Sequence, residues 1–315
     1  MNTKVATVFG GSGFIGRQVV QRLAKAGYIV RVPTRDIEKA GILRTAGGVG
    51  QVVPMLCALS RPALIENAVK GADVVINLLG ILYEKRSQKF HDIHHAAAEN
   101  IAKAAKAAGV GKFVQISAIG ASHTSTARYA KSKAAGETAV HTAFPEATIL
   151  RPSIVFGPED HFFNRFAGLT RISPALPLIG GGTGKFQPVY VGDVADAVMA
   201  AVSRADAAGK TYELGGPRVA TFKELMEFML TTTHRKRCLI SMPFCLAKFK
   251  SYFLQYAPNP MLTPDQVELL KSDNVVSESA LKLADLGIKP TAMEAVVPAY
   301  LDRFIPGGLF KQNAA

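Results

Sequence analysis

Val5-Ala-Thr-Val-Phe-Gly10-Gly-Ser-Gly-Phe-Ile-Gly16 decides the fold of this chain. Val5, Thr7 and Val8 form a short β-branched run that stops at Gly10. An amphipathic helical pattern opens directly behind it, with Ile15, Val19, Val20 and Leu23 on one face and Gly27 as its stop. Between them the spacing from Gly10 is G-x-x-G-x-x-G, with Gly11 as a fourth glycine. Such glycines permit a sharp turn, let backbone N–H groups approach a pyrophosphate, and let helix and strand pack closely. The new helix directs its unpaired N–H groups and positive dipole end at that phosphate. Strand, glycines and helix in this register predict a dinucleotide site formed by Gly10, Ser12, Gly13, Phe14, Ile15 and Gly16. A purely structural glycine-rich turn is the alternative.

Strand and helix patterns keep alternating outward from that stretch. Strands are predicted over 28–32, 51–54, 73–78, 112–116 and 147–150, with helices over about 62–70, 90–108 and 126–143 between them. This is the signature of an α/β fold with a doubly wound parallel sheet. Strict alternation lapses after residue 155, where Phe162, Phe163 and Phe166 follow at helical spacing, as packing rather than ligand contacts. Asp193 opens a helix that returns to the sheet. Two capping boxes, Thr221-x-x-Glu224 and Thr263-Pro-Asp-Gln266, then start short helices. The expected organisation is a dinucleotide-binding domain over 1–155 joined by 186–204, and a smaller, mostly helical lid over 156–185 and 205–315, closing over the strand ends.

The bulk properties agree with a folded domain pair. The 315 residues are 48% hydrophobic and 19% charged, which excludes a disordered chain, and no apolar run is long enough to span a bilayer. With a first strand predicted from near residue 4, no signal or transit peptide is expected, and three unpaired-looking cysteines (Cys57, Cys238, Cys245) suit a reducing cytosol. The formal net charge of +13 favours an anionic partner. No nucleic-acid motif accompanies that charge, so no nucleic-acid partner is expected.

Several positions carry chemistry. The second strand ends in Thr34-Arg35-Asp36. An acid near this point would bond the ribose 2′-hydroxyl of NAD(H), whereas a cation suits the 2′-phosphate of NADP(H). Arg35 favours NADPH as the cofactor. Asp36 keeps NAD(H) open, though it is expected to point away. Leu79 and Gly80 follow the fourth strand, where Gly80 lets the backbone pass close to the cofactor. His91, His94 and His95 could place metal ligands on one helix face; without a matching cluster elsewhere, a polar helix face is the expectation and no metal is assigned. Ser117 ends the fifth strand, and Tyr129-Ala-Lys-Ser-Lys133 sets Tyr129 and Lys133 one helical turn apart. A tyrosine hydroxyl titrates near 10, and a neighbouring ammonium is expected to lower that value while the serine holds a substrate oxygen.

From Phe228 to Pro264 there is no acidic residue, yet Arg235, Lys236, Arg237, Lys248 and Lys250 lie there beside Phe244, Leu246, Phe249, Tyr252, Phe253 and Tyr256. Residues 235–256 therefore suit an anionic membrane surface or a large partner. An ordinary buried lid helix with solvated lysines is the competing reading.

With the glycine loop, Ser117, Tyr129 and Lys133 in hand, the chain resembles the extended and atypical short-chain dehydrogenase/reductase superfamily, whose dinucleotide-binding part is a Rossmann domain. More narrowly it resembles the Rossmann-type NAD(P)H-binding accessory subunit of respiratory complex I (NADH:ubiquinone oxidoreductase) and its bacterial relatives. Besides the opening loop, the match is carried by Gln115-Ile-Ser-Ala-Ile-Gly120, Leu150-Arg-Pro-Ser-Ile-Val-Phe-Gly-Pro-Glu-Asp160, Phe186-Gln-Pro-Val-Tyr-Val-Gly-Asp193 and Leu262-Thr-Pro-Asp-Gln-Val267. The resemblance implies a tightly held NADPH that also touches Pro152 and Ile154. It implies a cytoplasmic position docked on complex I subunits, on the inner face of an energy-transducing membrane near the quinone region. Mitochondrial members tend to lack the full Ser/Tyr/Lys set, whereas this chain keeps all three. Two functions follow: an accessory or assembly subunit associated with complex I or quinone metabolism, with a structural cofactor, or an active NADPH-dependent reductase or epimerase using Ser117, Tyr129 and Lys133.

Overall fold

A computed structural model of the protein describes residues 3–85 and 88–307. In chain order it opens with β1 (Val5–Phe9), α1 (Phe14–Lys25), β2 (Ile29–Thr34), α2 (Ile37–Ala40), β3 (Val52–Leu56) and α3 (Pro62–Val69). Next come β4 (Val74–Asn77), α4 (Ala97–Ala107), β5 (Lys112–Ile116), α5 (Arg128–Ala143) and β6 (Thr148–Pro152). There follow β7 (Val155–Phe156), α6 (Phe163–Leu169), β8 (Ala175–Ile179), β9 (Lys185–Phe186), β10 (Val189–Tyr190), α7 (Val191–Ser203) and β11 (Thr211–Leu214). The chain closes with β12 (Ala220–Thr221), α8 (Phe222–Thr232), β13 (Cys238–Met242), α9 (Phe244–Leu254), α10 (Pro264–Leu269) and α11 (Met293–Leu301).

Two units emerge. The first comprises Met1–Pro152, Val191–Leu214 and Glu278–Lys289. Its seven strands lie in the order β11-β6-β5-β4-β1-β2-β3, all parallel. The chain winds outward from β1 in one direction and from β4 in the other. The carboxyl ends of these two neighbours therefore form the switch point where such sheets bind ligands. Strands covered by helices on both faces must be apolar throughout, and Ala6, Val8, Phe9, Val74, Val75 and Ile76 are all buried. Thr7, also buried, satisfies its hydroxyl on the Ala68 carbonyl at 2.8 Å.

Two boundaries differ from the sequence expectation. Residues 205–214 and 278–289, assigned above to the lid, belong to the sheet unit. Strand β6 offers a free edge, β11 pairs with it from Thr211↔Ile149 to Leu214↔Pro152, and Leu281 bridges to Tyr212. Residues 153–155 and 186–190, assigned to the sheet domain, lie instead in the second unit, where β10 pairs with β7 and β9 with β12.

The second unit comprises Ser153–Tyr190, Gly215–Ser277 and Pro290–Ala315. Its core is aromatic and thioether-rich: Phe156, Phe163, Phe222, Met226 and Met229 are buried, and Phe162 and Phe166 pack against them. Packing is therefore the job of the phenylalanine cluster. Both capping boxes form, with Thr221 and Glu224 closing α8 and Thr263 and Gln266 closing α10. Among the described residues, no helix is long and apolar enough to cross a membrane.

Candidate functional site

The opening glycine turn is shaped by three contacts. Gly10 sits at φ +77°, a conformation that disfavours side chains, and a Cβ there would lie 3.1 Å from the Leu78 carbonyl carbon at the tip of β4. A Cβ on Gly16 would fall 2.2 Å from the Gly10 oxygen, so only glycine lets α1 start this close to β1. Gly13 is the exposed N-cap of α1, and no side chain caps the helix there. The leading N–H groups of α1, including those of Phe14 and Ile15, are thus left for an outside acceptor. Ser12 lies in the same turn and holds Arg17 Nε through its carbonyl at 3.2 Å.

At the end of β2, Arg35 is exposed and Asp36 is committed elsewhere. The Asp36 carboxylate caps α2 by accepting from the Lys39 N–H at 3.1 Å, which holds it below the usual carboxylate range. Thr34 Oγ1 accepts from the Asp36 N–H at 3.2 Å, tightening that turn. Arg35 is aimed by a residue that sequence reasoning missed. With the Gln88 amide turned so that its oxygen faces the guanidinium, it accepts from both terminal nitrogens, at 2.7 and 2.9 Å.

Beyond β4, Asn77 Oδ1 accepts from the Leu79 N–H at 3.1 Å, and Asn77 Nδ2 donates to Gln115 Oε1 at 2.9 Å. The tips of two neighbouring strands are thereby locked together. A Cβ added to Gly80 would stand 3.2 Å from Lys133 Nζ and 3.9 Å from His94 Nε2, so backbone, lysine and histidine converge on one point. Lys133 is buried and its ammonium donates to the Ile116 carbonyl at 3.4 Å. Burial pushes its pKa down to about 8, partly opposed by Glu137. Ser117 directly follows β5, with its hydroxyl buried and without a hydrogen-bond partner among the described residues.

Tyr129 departs from expectation. Burial pushes its phenol up to about 12, and the lysine one turn away brings no compensating drop. The physical reason is desolvation of the phenol, while the Lys133 ammonium is directed to the Ile116 carbonyl. What surrounds the Tyr129 ring is instead aromatic, with Phe90 and His94 edge-on at 5.8 and 5.4 Å.

His94 was foreseen only as one of three histidines on a polar helix face. The segment His91–Ala96 is a π-helix leading into α4, a wider turn often found at functional sites, and it rotates His94 inward. His94 Nε2 accepts from the Ile81 N–H at 3.0 Å, so the assigned tautomer carries its proton on Nδ1, which donates to Ser132 Oγ at 2.8 Å. Ser132 in turn donates to the Tyr129 carbonyl at 2.7 Å. Burial and the charge of Lys133 hold the imidazole neutral, with its pKa lowered to about 2. His91 and His95 stay outside, 3.3 Å from each other. The sequence held one signal for this arrangement: Gly136, in the interior of α5, where a Cβ would lie 1.9 Å from the His94 oxygen.

Pro152 and Ile154 fall in different units. Pro152 closes β6 and accepts from the Ile119 N–H at 3.1 Å, while Ile154 belongs to the second unit and accepts from the Val189 N–H at 2.9 Å. Below Lys133 on the same helix, Glu137 takes a two-pronged bond from Arg151, at 2.9 and 2.6 Å. That pairing keeps a buried carboxylate compensated beside the buried lysine. An uncapped helix start, a cradle that a Cβ would fill and an orphaned buried hydroxyl together fit a dinucleotide along the β1/β4 crevice.

Comparison with known proteins gives concordant findings. The sequence profile of the NAD dependent epimerase/dehydratase family matches residues 6–215. NADH dehydrogenase (ubiquinone) 1 alpha subcomplex subunit 9, mitochondrial, of Arabidopsis thaliana is 42% identical over 316 residues, spanning 96% of this chain and 79% of the relative. Its Rattus norvegicus counterpart is 38% identical over 294 residues, spanning 92% of this chain and 78% of the relative. Among solved structures, a Citrobacter sp. triphenylmethane reductase superposes with a TM-score of 0.76 at 22% identity, covering 95% of this chain and 99% of that one. That last likeness speaks to the fold alone.

Proposed function

The chain belongs to the NAD dependent epimerase/dehydratase family, and on that premise we propose that it is an accessory or assembly subunit of respiratory NADH:ubiquinone oxidoreductase holding NADPH as a structural cofactor. The likeness to the two subunit-9 relatives carries this reading, because it runs through both units and not through the dinucleotide-binding part alone. The site is in keeping with it. The glycine cradle is intact, while the Tyr129 phenol, at about 12, is not primed for proton transfer at neutral pH. The choice of NADPH over NADH is supported by Arg35, whose planar fork stands exposed at the end of β2 while Asp36 is tied into its cap.

Ser117 favours a second reading, an active reductase. A buried hydroxyl with no partner is costly unless something binds it, and a substrate oxygen is a suitable acceptor. In that case the bound nicotinamide supplies the hydride. Ser117 holds the reacting oxygen, Tyr129 delivers the proton from its hydroxyl, and Lys133 steadies the ribose. Purification from native membranes followed by mass spectrometry separates the two. The accessory reading expects NADPH and complex I subunits to co-purify. Oxidation of NADPH against a panel of small carbonyls at ordinary enzyme rates, roughly 1–1,000 per second, would overturn it.

Membrane proximity is supported by α9, which is built inside out. It buries its small residues Ala247 and Ser251 and exposes Phe249, Tyr252 and Phe253, with Tyr256 just beyond its end. These aromatics recur at i, i+3, i+4 and i+7, one helical face. At roughly 200 Å² per aromatic side chain, the exposed portions amount to roughly 500 Å², as large as the largest patch on a typical monomer. The surrounding acid-free, basic stretch matches an anionic lipid surface. On this reading the protein sits peripherally on the inner face of the membrane, and α9 supports the membrane contact but does not itself select the face. A Phe249→Ser/Phe253→Ser variant is expected to lose binding to phosphatidylglycerol-containing vesicles, and undiminished binding refutes the docking.

A further inference from the structure

A second basic feature of the smaller unit is distinct from α9 and from the dinucleotide cradle. Helix α8 ends at Thr232, and His234, at φ +50°, turns the chain back so that the Arg235 N–H reaches the Leu230 carbonyl at 3.0 Å and the His234 N–H reaches Thr231 at 3.1 Å. This helix stop delivers three consecutive cations to a shallow surface depression of about 500 Å³ that lies open to solvent. Its lining is Pro174, Leu230, Arg235, Lys236, Arg237 and Cys238.

The cations are held rather than waving in solvent. Arg235 Nε donates to the Phe304 carbonyl at 2.8 Å; Arg237 donates from Nε to the Thr170 carbonyl at 2.9 Å and from one terminal nitrogen to the Lys236 carbonyl at 2.8 Å. Each guanidinium is thus oriented by its Nε while keeping terminal N–H groups for another acceptor. No carboxylate among the described residues forms an ion pair with Arg171, Arg235, Lys236 or Arg237. Burial, followed by the like charges of Arg237 and Arg171, pushes Arg235 below the usual arginine range. One cation behind a helix carboxyl end is ordinary complementarity to the helix dipole. Three around one depression, in a stretch of 37 residues without an acid, call for an anion.

We infer that this depression binds a phosphate group, seated by the terminal N–H groups of Arg235 and Arg237 and the ammonium of Lys236. A tetrahedral dianion or diester matches the guanidinium forks, and lysine adds a point charge. The phosphate belongs either to a lipid headgroup or to a free phosphate compound. The first source rests on the membrane reading of α9; the site itself does not.

The test uses full-length protein saturated with NADPH, so that the dinucleotide site takes up no phosphate. Inorganic phosphate is titrated calorimetrically into wild type, Arg235→Gln/Arg237→Gln, Lys236→Glu and a charge-matched control, Lys39→Gln/Lys103→Gln. Lys236→Glu disturbs neither backbone anchor, so it reports even where the double arginine variant fails to fold. Saturable binding that falls about tenfold or more in Lys236→Glu and the arginine variant, but not in the control, is the expected result. The source is read from vesicles of phosphatidylcholine with and without phosphatidylglycerol. Loss of phosphatidylglycerol-dependent binding in the Lys236 and arginine variants assigns a headgroup, and unchanged vesicle binding assigns a free phosphate compound. Phosphate binding that is absent, or equal in all variants, overturns the inference. Failure of the Phe249→Ser/Phe253→Ser experiment alone leaves the phosphate site untouched.

Discussion

Substituting Gly16 by alanine tests the architecture on which the dinucleotide site stands. The added methyl would lie 2.2 Å from the Gly10 oxygen, 2.6 Å from Gly11 Cα and 2.7 Å from the Gly11 carbonyl carbon. All three neighbours are backbone, so relief requires α1 to retreat or the turn to open by about 1 Å, judged against ordinary carbon contacts of about 3.5 Å. Alanine inside a helix contributes about 0.5–1 kcal/mol of propensity, and overpacking of this kind costs about 1–3 kcal/mol, sometimes more. The net loss is about 1–2 kcal/mol, a fall in Tm of roughly 2–3 °C for a chain of 315 residues. Gly13→Ala is the matched comparison, because a Cβ there meets only the Gly10 oxygen at 3.3 Å. It is expected to melt with wild type while losing most of the stabilisation that added NADPH provides. Thermal unfolding of the three proteins with and without NADPH reads both effects. If Gly16→Ala without nucleotide melts with wild type, or if Gly13→Ala falls as far, the close-approach argument is wrong.

Arg35→Ala should weaken NADPH by about 2 kcal/mol, roughly thirtyfold, and leave NADH unchanged in a binding titration; equal losses for both would remove Arg35 from the 2′-phosphate. Lys133→Met should stabilise the fold and weaken nucleotide binding together. The folded lysine titrates at about 8 against an ordinary 10.5, so the native state binds fewer protons between those values. The charge penalty is complete below pH 8 and relieved by pH 10.5, an upper figure of about 3 kcal/mol. Denaturant melts should show the variant ahead by about 1–3 kcal/mol at pH 7, with the gap closing as pH rises through that window; a variant less stable at pH 7 refutes the buried-charge account. His234→Gly should raise stability by about 1 kcal/mol, since its φ of +50° suits glycine, and an unchanged or lowered Tm would refute the strain.

Local chemistry was legible without coordinates. The glycine turn, the alternation into a parallel sheet, both capping boxes and the position of Arg35 at the end of β2 depend on residues a few places apart, so their spacing alone carries them. The kinship with the complex I subunit also lay in short runs of sequence, and the family profile and relatives bear it out. Tertiary structure decided what those runs meet. Burial, which no spacing encodes, raised Tyr129 and lowered Lys133 when a mutual effect of neighbours was expected. A π-helix turned His94 inward, because Gly136 leaves room for its backbone to approach α5. Helix α9 could not be assigned a face from its pattern alone; only packing against Ala247 and Ser251 left the aromatics outside. Residues 211–214 joined the sheet because β6 had an edge to satisfy, a demand created by strands far away in sequence. Sequence determines which groups are available locally, and desolvation and the choice of face, which depend on distant neighbours, determine what those groups can do.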